Sequence, residues 1–424
     1  MSFAKAYLEK VSLDPQIVGQ LPSTNLSIVI AIPASNEPEI LHTLTALRNC
    51  LPTQGDSEVI IALNSSESAP VEVVDQNLQT EKEIRQFIHT HQDQRFRILL
   101  TNKTGISAKK AGAGFARKIA MDHALSRFDQ LKKPEGVIIS LDADTLCEPD
   151  YLCTVEEHFY NNPASRACSV YFEHPIEGNE YPASVYSGIT QYELHIRYYI
   201  EGLRYAGHPH AYHTVGSAFC LRAGVYTSQG GMNKRTAGED FYFLQKIIPL
   251  GNYHELNTTC LIPSPRPSGR VAFGTGPVVR KFMTGEIDSL DSYNPRVFHD
   301  LRKFLSVIPH LYRGTEKNTL AIYESLPGSI QRNLGDEFFN KLKEIRDNSS
   351  REETFHKRFY HWFNMFRTLK YINFAHKESY PRINVQKAAS GFLEKTMPPG
   401  MPGGDAKELL CRFRKIQRES RWQA

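Results

Sequence analysis

Short apolar runs recur at residues 26–33, 58–63, 96–100 and 136–141, and segments of helical character separate them. The first reads Leu-Ser-Ile-Val-Ile-Ala-Ile-Pro between turn formers. A run that is apolar on both faces and rich in β-branched residues marks a strand buried in a parallel sheet. After the first run, Ile40, Leu41, Leu44 and Leu47 fall at helical spacing, one apolar stripe on a helix over 37–49. Further helices are expected over 71–92 and 107–128. Strand and helix alternating in this way imply a mainly parallel sheet.

Beyond residue 150 the pattern is mixed, with strands expected at 167–172 and 215–221 and helices at 187–203 and 241–248. Residues 263–277 carry four Pro and three Gly, which spells a shaped loop rather than a regular element; loops of that length are often functional. From about residue 289 the chain turns helical, including 297–311 and 355–374. The expected organisation is an α/β domain over 1–288 followed by a helical C-terminal region over 289–424.

Bulk properties narrow the class. A hydrophobic content of 41% with 23% charge is globular, and a net charge of +4 points to no nucleic-acid surface. Seven cysteines with no Cys-x-x-Cys pair fit neither a zinc site nor a paired disulfide framework, so reduced thiols and a cytoplasmic location are expected. The N-terminus lacks the apolar core of a signal peptide, and no run approaches the ~20 apolar residues of a spanning helix. Residues 355–374 mix aromatics and cations without an acid, a composition that suits peripheral contact with an anionic membrane or packing on its own domain.

Four motifs carry the chemistry. Asp142 and Asp144, in Ser-Leu-Asp-Ala-Asp-Thr, follow the fourth run, at the strand edge where α/β sheets bind ligands. Two carboxylates plus substrate phosphates are how Mg²⁺ is held, and Mn²⁺ favours the same oxygens; the ordinary reading is a solvated turn. Asn36 and Glu37 end the first run in Ile-Pro-Ala-Ser-Asn-Glu, which suits nucleotide recognition or plain helix capping. In Lys109-Lys-Ala-Gly-Ala-Gly-Phe-Ala-Arg-Lys118, Lys110, Gly114 and Arg117 share one helical face, where small residues would let a ligand reach the two cations. It is no phosphate loop of the Gly-x-x-x-x-Gly-Lys-Ser/Thr type. Glu239 and Asp240 close a Gly-rich segment at the start of a helix, a placement for a general base or for dipole complementation.

In this order the motifs resemble the family-two GT-A glycosyltransferases, with their Ile-Pro-Ala-x-Asn-Glu, Asp-Ala-Asp and Glu-Asp signatures; the resemblance covers roughly residues 26–276. It implies a GT-A, Rossmann-like mixed sheet, a nucleotide-diphosphate sugar donor of UDP or GDP type, and Mn²⁺ or Mg²⁺. It further implies transfer of a sugar, a hexosyl group by expectation, to a hydroxyl acceptor with inversion; that acceptor would be a glycan, a lipid-linked species or a small molecule. Carried over, Pro33, Asn36 and Glu37 would line the nucleoside site, with Arg117 and Lys110 at the nucleotide or its phosphates. Asp142 would meet the ribose or the metal shell, Asp144 would hold the metal, and Asp240, with Glu239 beside it, would take the acceptor proton. Arg266 and Arg270, in the loop after residue 263, would clamp the phosphates.

Two departures stand out. Asn64 occupies a position where the family often has Asp, and Arg418-Glu-Ser-Arg-Trp422 copies the letters of a processive-synthase signature at the far C-terminus, where it reads as coincidence. Single addition is therefore expected. The competing classes are a sugar-phosphate nucleotidyltransferase, against which the absence of a Gly-rich basic loop after the first strand counts, and a non-catalytic nucleotide-sugar or glycan-binding module. The cluster His208, His210 and His213 invites a metal reading, but Pro209 makes an extended turn between the first two and nothing fixes their direction; the three could equally line the acceptor pocket.

Overall fold

The computed structural model describes residues 2–91, 93–108, 111–235, 238–269, 274–396, 403–420 and 422. The chain forms two compact units interleaved in sequence. One comprises Met1–Pro175, His213–Pro277 and Arg418–Gln423, the other Ile176–Tyr212 and Val278–Gln417.

The first unit is built on an eight-stranded sheet. Its strands are β1 Leu26–Ala34, β2 Asp56–Ser66, β3 Phe96–Ile106, β4 Val137–Ser140, β5 Thr145–Cys147, β6 Ala167–Phe172, β7 Phe219–Arg222 and β8 Tyr253–Pro263, in the order β3-β2-β1-β4-β7-β6-β8-β5. The four apolar runs become β1 to β4, all parallel. β7 inserts antiparallel to β4 and β6, β8 runs parallel to β6, and β5 closes the order antiparallel to β8. β5 and β8 have no counterpart in the local pattern. The strand expected over 215–221 begins only at Phe219, and Gly216 and Ser217 form a turn before it.

These registers collect loops on one edge. The C-terminal ends of β1, β2 and β4 lie together because those strands are parallel. Phe219 pairs with Ser140, so the turn before β7 arrives at the same edge. Thr145 pairs with Pro263, which brings the segment after β8 beside Asp142–Thr145.

The helix Ala113–Leu131 crosses between β3 and β4 and is buried along nearly all its length. Its charged residues are paired rather than solvated. Lys118 Nζ lies 2.9 Å from Asp122 Oδ2, and Arg127 donates two hydrogen bonds to Glu58 at 2.6 and 2.8 Å. Asp122 accepts from the hydroxyls of Tyr7 and Tyr226, both at 2.7 Å. The N-terminal segment thus caps a helix whose polar face would otherwise be bare.

The second unit is helical. The helix Ala183–Tyr205 belongs to it, and Tyr198 makes edge contacts with Phe298, Phe392 and Phe413. Buried Glu193 accepts from both Arg197 and Arg414. The helix expected over 355–374 is two helices, Glu352–Trp362 and Met365–Glu378. The break is physical: Asn364 caps the second, accepting from the amides of Phe366 and Arg367. Phe355, Phe359, Trp362 and Phe363 point into this unit's own core, while Lys357 and Arg358 are exposed. No described helix is long and apolar enough to cross a membrane.

Candidate active site

Two arginine-centred networks occupy the loop edge of the sheet. The first is built on Arg117, in the second turn of the helix Ala113–Leu131 and 3% exposed. Its Nε donates to Glu239 Oε1 at 3.0 Å, Nη1 to Ser140 Oγ at 2.7 Å and to the Gly216 carbonyl at 2.9 Å, and Nη2 to Asp142 Oδ1 at 2.8 Å. Burial opposes its charge, but Asp142, Glu239 and Asp240 together push its pKa above the ordinary arginine value. A guanidinium needs this many acceptors when it leaves water.

Two glycines permit the approach. A Cβ at Gly114 would lie 2.2 Å from the Arg235 carbonyl and 2.8 Å from Glu239 Cβ. The small residue expected to admit a ligand instead admits the segment that carries Glu239. A Cβ at Gly216 would meet Arg117 Nη2 at 2.8 Å and Asp240 Oδ2 at 3.1 Å.

Glu239 and Asp240 begin the helix Glu239–Ile247, but their environments differ. Glu239 is 4% exposed and bound to Arg117. Asp240 is half-buried, and its Oδ1 accepts from the Phe241 amide at 2.7 Å. Burial, then the charge of Glu239, raise its carboxyl to about 7 against the pull of Arg117.

The second network is centred on Arg266, three residues beyond β8. Its Nη2 donates to Glu37 Oε2 at 2.5 Å and lies 3.5 Å from Asp144 Oδ2. Burial opposes its charge as well, while Glu37 and Asp144 raise its pKa. The Ser264 amide donates to the Asp144 carbonyl at 3.0 Å, which anchors the loop where Arg266 reaches both acids.

Around these networks sit the remaining expected residues. Asn36 adopts a left-handed φ of 53°, and its amide donates to Asn77 Oδ1 at 2.8 Å. Asn64 is 2% exposed and donates to the Gly112 carbonyl at 2.9 Å, while its own carbonyl accepts from Asn77 Nδ2. Its Oδ1 has no hydrogen-bond partner. Thr80 donates to the Glu37 carbonyl at 3.0 Å. Pro33 is buried within β1 opposite Ala62. Lys110 and Arg270 lie outside the described residues.

Asp142 and Asp144 do not sit on the strand itself. β4 ends at Ser140, and the two acids occupy the turn leading to β5, each engaged by a different arginine. Their side chains retain exposures of 41% and 19%. Among the described residues no group of three or more His, Cys, Asp or Glu forms a self-sufficient metal cage. Two accessible hard-oxygen ligands do match the mode in which substrate phosphates complete the shell. His208 and His210 pack on Tyr360 in the second unit. Arg418 lies 3.5 Å from Glu148 and over Tyr171, so the C-terminal residues return to the sheet unit.

Sequence reasoning did not single out Ser140, Gly216, Asn77 or Thr80. The signal for Ser140 was available in its place next to the acidic turn; the other three lie far away along the chain.

Residues 29–225, a little under half of the chain, match the model of the family described as Glycosyl transferase family 2. By that match the chain is a glycosyltransferase. No curated protein matches it. Among solved structures, this glycosyltransferase is similar to residues 1–349 of S. aureus TarS in complex with UDP-GlcNAc. The identity is 13%, over 94% of this chain and 93% of that one, with a TM-score of 0.39. It is also similar to the mannosyltransferase PcManGT from Pyrobaculum calidifontis in complex with GDP-Man and Mn²⁺. There the identity is 14%, over 98% and 92% of the two chains, with a TM-score of 0.34. Both likenesses are weak, and the α/β class of this glycosyltransferase, a mixed sheet of the GT-A kind, rests on its own strand order and register.

Proposed function

We propose that this glycosyltransferase moves a sugar from a nucleoside-diphosphate donor to an acceptor hydroxyl by single addition with inversion, and that Mn²⁺ or Mg²⁺ assists. The observation that carries the reading is the convergence of Arg117, Asp142, Glu239 and Asp240 in one hydrogen-bonded network, on the sheet edge that also bears Glu37, Asp144 and Arg266.

In this reading Asp240 is the catalytic base. A carboxyl near 7 is ionised often enough at neutral pH to accept a proton and basic enough to hold it. Glu239 and Arg117 are positioning residues, the first raising the affinity of Asp240 for protons and the second opposing full neutralisation. Asp144, with Asp142 beside it, would hold the cation, which when bound supplies charge stabilisation for the departing diphosphate. Arg266 would exchange its carboxylate partners for donor phosphate, and Glu37, Asn36, Asn64 and Pro33 would line the nucleoside end. The acceptor would be a glycan, a lipid-linked species or a small hydroxyl compound, met outside any nucleic-acid context. Lys110 and Arg270 are proposed phosphate contacts on sequence grounds alone.

The test is a thermal-shift panel of UDP, GDP, CMP and dTDP with and without Mn²⁺, since a ligand bound by the native state alone raises the melting temperature. The expected result is a Mn²⁺-dependent shift with one nucleotide, lost in Asp144→Ala. No shift with any nucleotide would overturn the donor site.

A further inference from the structure

Cys50 and Cys147 are distant in sequence, yet their Sγ atoms lie 3.6 Å apart. Cys50 follows the helix Ile40–Arg48, and Cys147 ends β5. Both are partly exposed, whereas Cys168, Cys220 and Cys260 are buried. All seven cysteines are free thiols.

The surrounding backbone is already joined across this seam. Thr43 Oγ1 donates to the Ala143 carbonyl at 2.9 Å, and the Leu51 amide donates to the Pro149 carbonyl at 2.7 Å. Bonded sulfurs sit ~2.0 Å apart, so the two sulfurs have to close in from 3.6 Å across this seam. The two thiols are also unequal. Its hydrogen bond with Cys147 draws the Cys50 pKa down, while Cys147 is pushed up. Either sulfur can donate that hydrogen bond; the lowered pKa of Cys50 favours it as the first nucleophile.

We infer that Cys50 and Cys147 form a reversible disulfide site that reacts with small disulfide oxidants of the glutathione class. The Cys50 thiolate attacks one sulfur of the oxidant and expels the first glutathione as a thiolate. Cys147 then loses its proton to solvent and attacks Cys50 Sγ, expelling the second. Two protein thiols lose two electrons and two protons, and one oxidised glutathione becomes two reduced ones. The bond ties the helix that follows Glu37 to the strand that follows Asp144. An effect on turnover would rest on the proposed donor site; formation of the bond does not.

The experiment treats the full-length protein with oxidised glutathione, alkylates the remaining thiols and maps peptides by mass spectrometry without reduction. The expected product is a Cys50–Cys147 linked peptide, lighter by two hydrogens than its two parts and reversed by dithiothreitol, with a rise in melting temperature because the link closes a long loop. Cys147→Ser should stop at a glutathione adduct on Cys50, and Cys50→Ser should form neither linked peptide nor adduct at this seam. Recovery of Cys50 and Cys147 as separately alkylated peptides, or of Cys50 joined to Cys153, would overturn the assignment. The mapping reads no activity, so its failure is distinct from failure of the donor site.

Discussion

Arg117 and Arg266 each engage carboxylates on the same sheet edge, but in contrasting settings. Arg117 is 4% exposed at its side chain and has four acceptors from three segments of chain. Arg266 is 18% exposed and bridges Glu37 and Asp144 from a loop. Buried ion pairs lose heavily when one member is removed, because the other is left uncompensated. Arg266 lies nearer solvent than Arg117, and its contact with Asp144 is the more open of its two pairs, so that contact is the cheaper one to exchange. The contrast separates a fixed scaffold around Asp240 from a bridge nearer solvent, the one that donor phosphate or a cation would displace under the proposed function.

The largest effect should come from the group the scaffold tunes. Asp240→Asn is expected to lower turnover by roughly 10²–10⁴-fold while a nucleotide-induced thermal shift persists; normal turnover would remove Asp240 from its role as base. In the unaltered enzyme kcat/KM should fall about tenfold per pH unit below about 7, because the base works only as carboxylate. The stability consequence has the opposite sign. A carboxyl whose folded pKa is raised stabilises least once pH exceeds that pKa, so Asp240→Asn should raise the melting temperature more at pH 8 than at pH 5.

Next in size is the scaffold itself. Arg117→Met should cost about 3–5 kcal/mol, read by urea denaturation, since Glu239 would remain buried without its partner. A loss below ~1 kcal/mol would place Arg117 among exposed pairs and erase the contrast with Arg266. Gly114→Ala should cost about 1–3 kcal/mol, because its methyl meets the Arg235 carbonyl at 2.2 Å.

The smallest effect sharpens the other side of the comparison. Arg266→Ala should increase Mn²⁺ affinity severalfold in a calorimetric titration without nucleotide, each 1.4 kcal/mol being about tenfold, because a competing cation is removed from Asp144. An unchanged affinity would show that the bridge does not compete for that acid.

The regular frame was legible in the sequence because strand burial and helix periodicity are local properties. β1 to β4 and the acids that follow them sit where the apolar runs end, and one helix was expected across 107–128 where Ala113–Leu131 forms. The split at Asn364 shows the limit of such reading. Composition across 355–374 is uniformly aromatic and basic, while one capping side chain ends the continuity.

What the sequence determined by itself was the inventory: parallel strands, acids at their ends, a basic helix between the third and fourth, and the match to a glycosyltransferase family. Tertiary structure alone decided the pairing. Asp142 and Asp144 are two residues apart but answer to different arginines, one 25 residues away on a helix and the other beyond β8. Gly216 contributes its carbonyl because an antiparallel strand brings Phe219 opposite Ser140. The physical reason is that periodicity encodes which way a side chain faces, whereas the partner it meets depends on strand order and register.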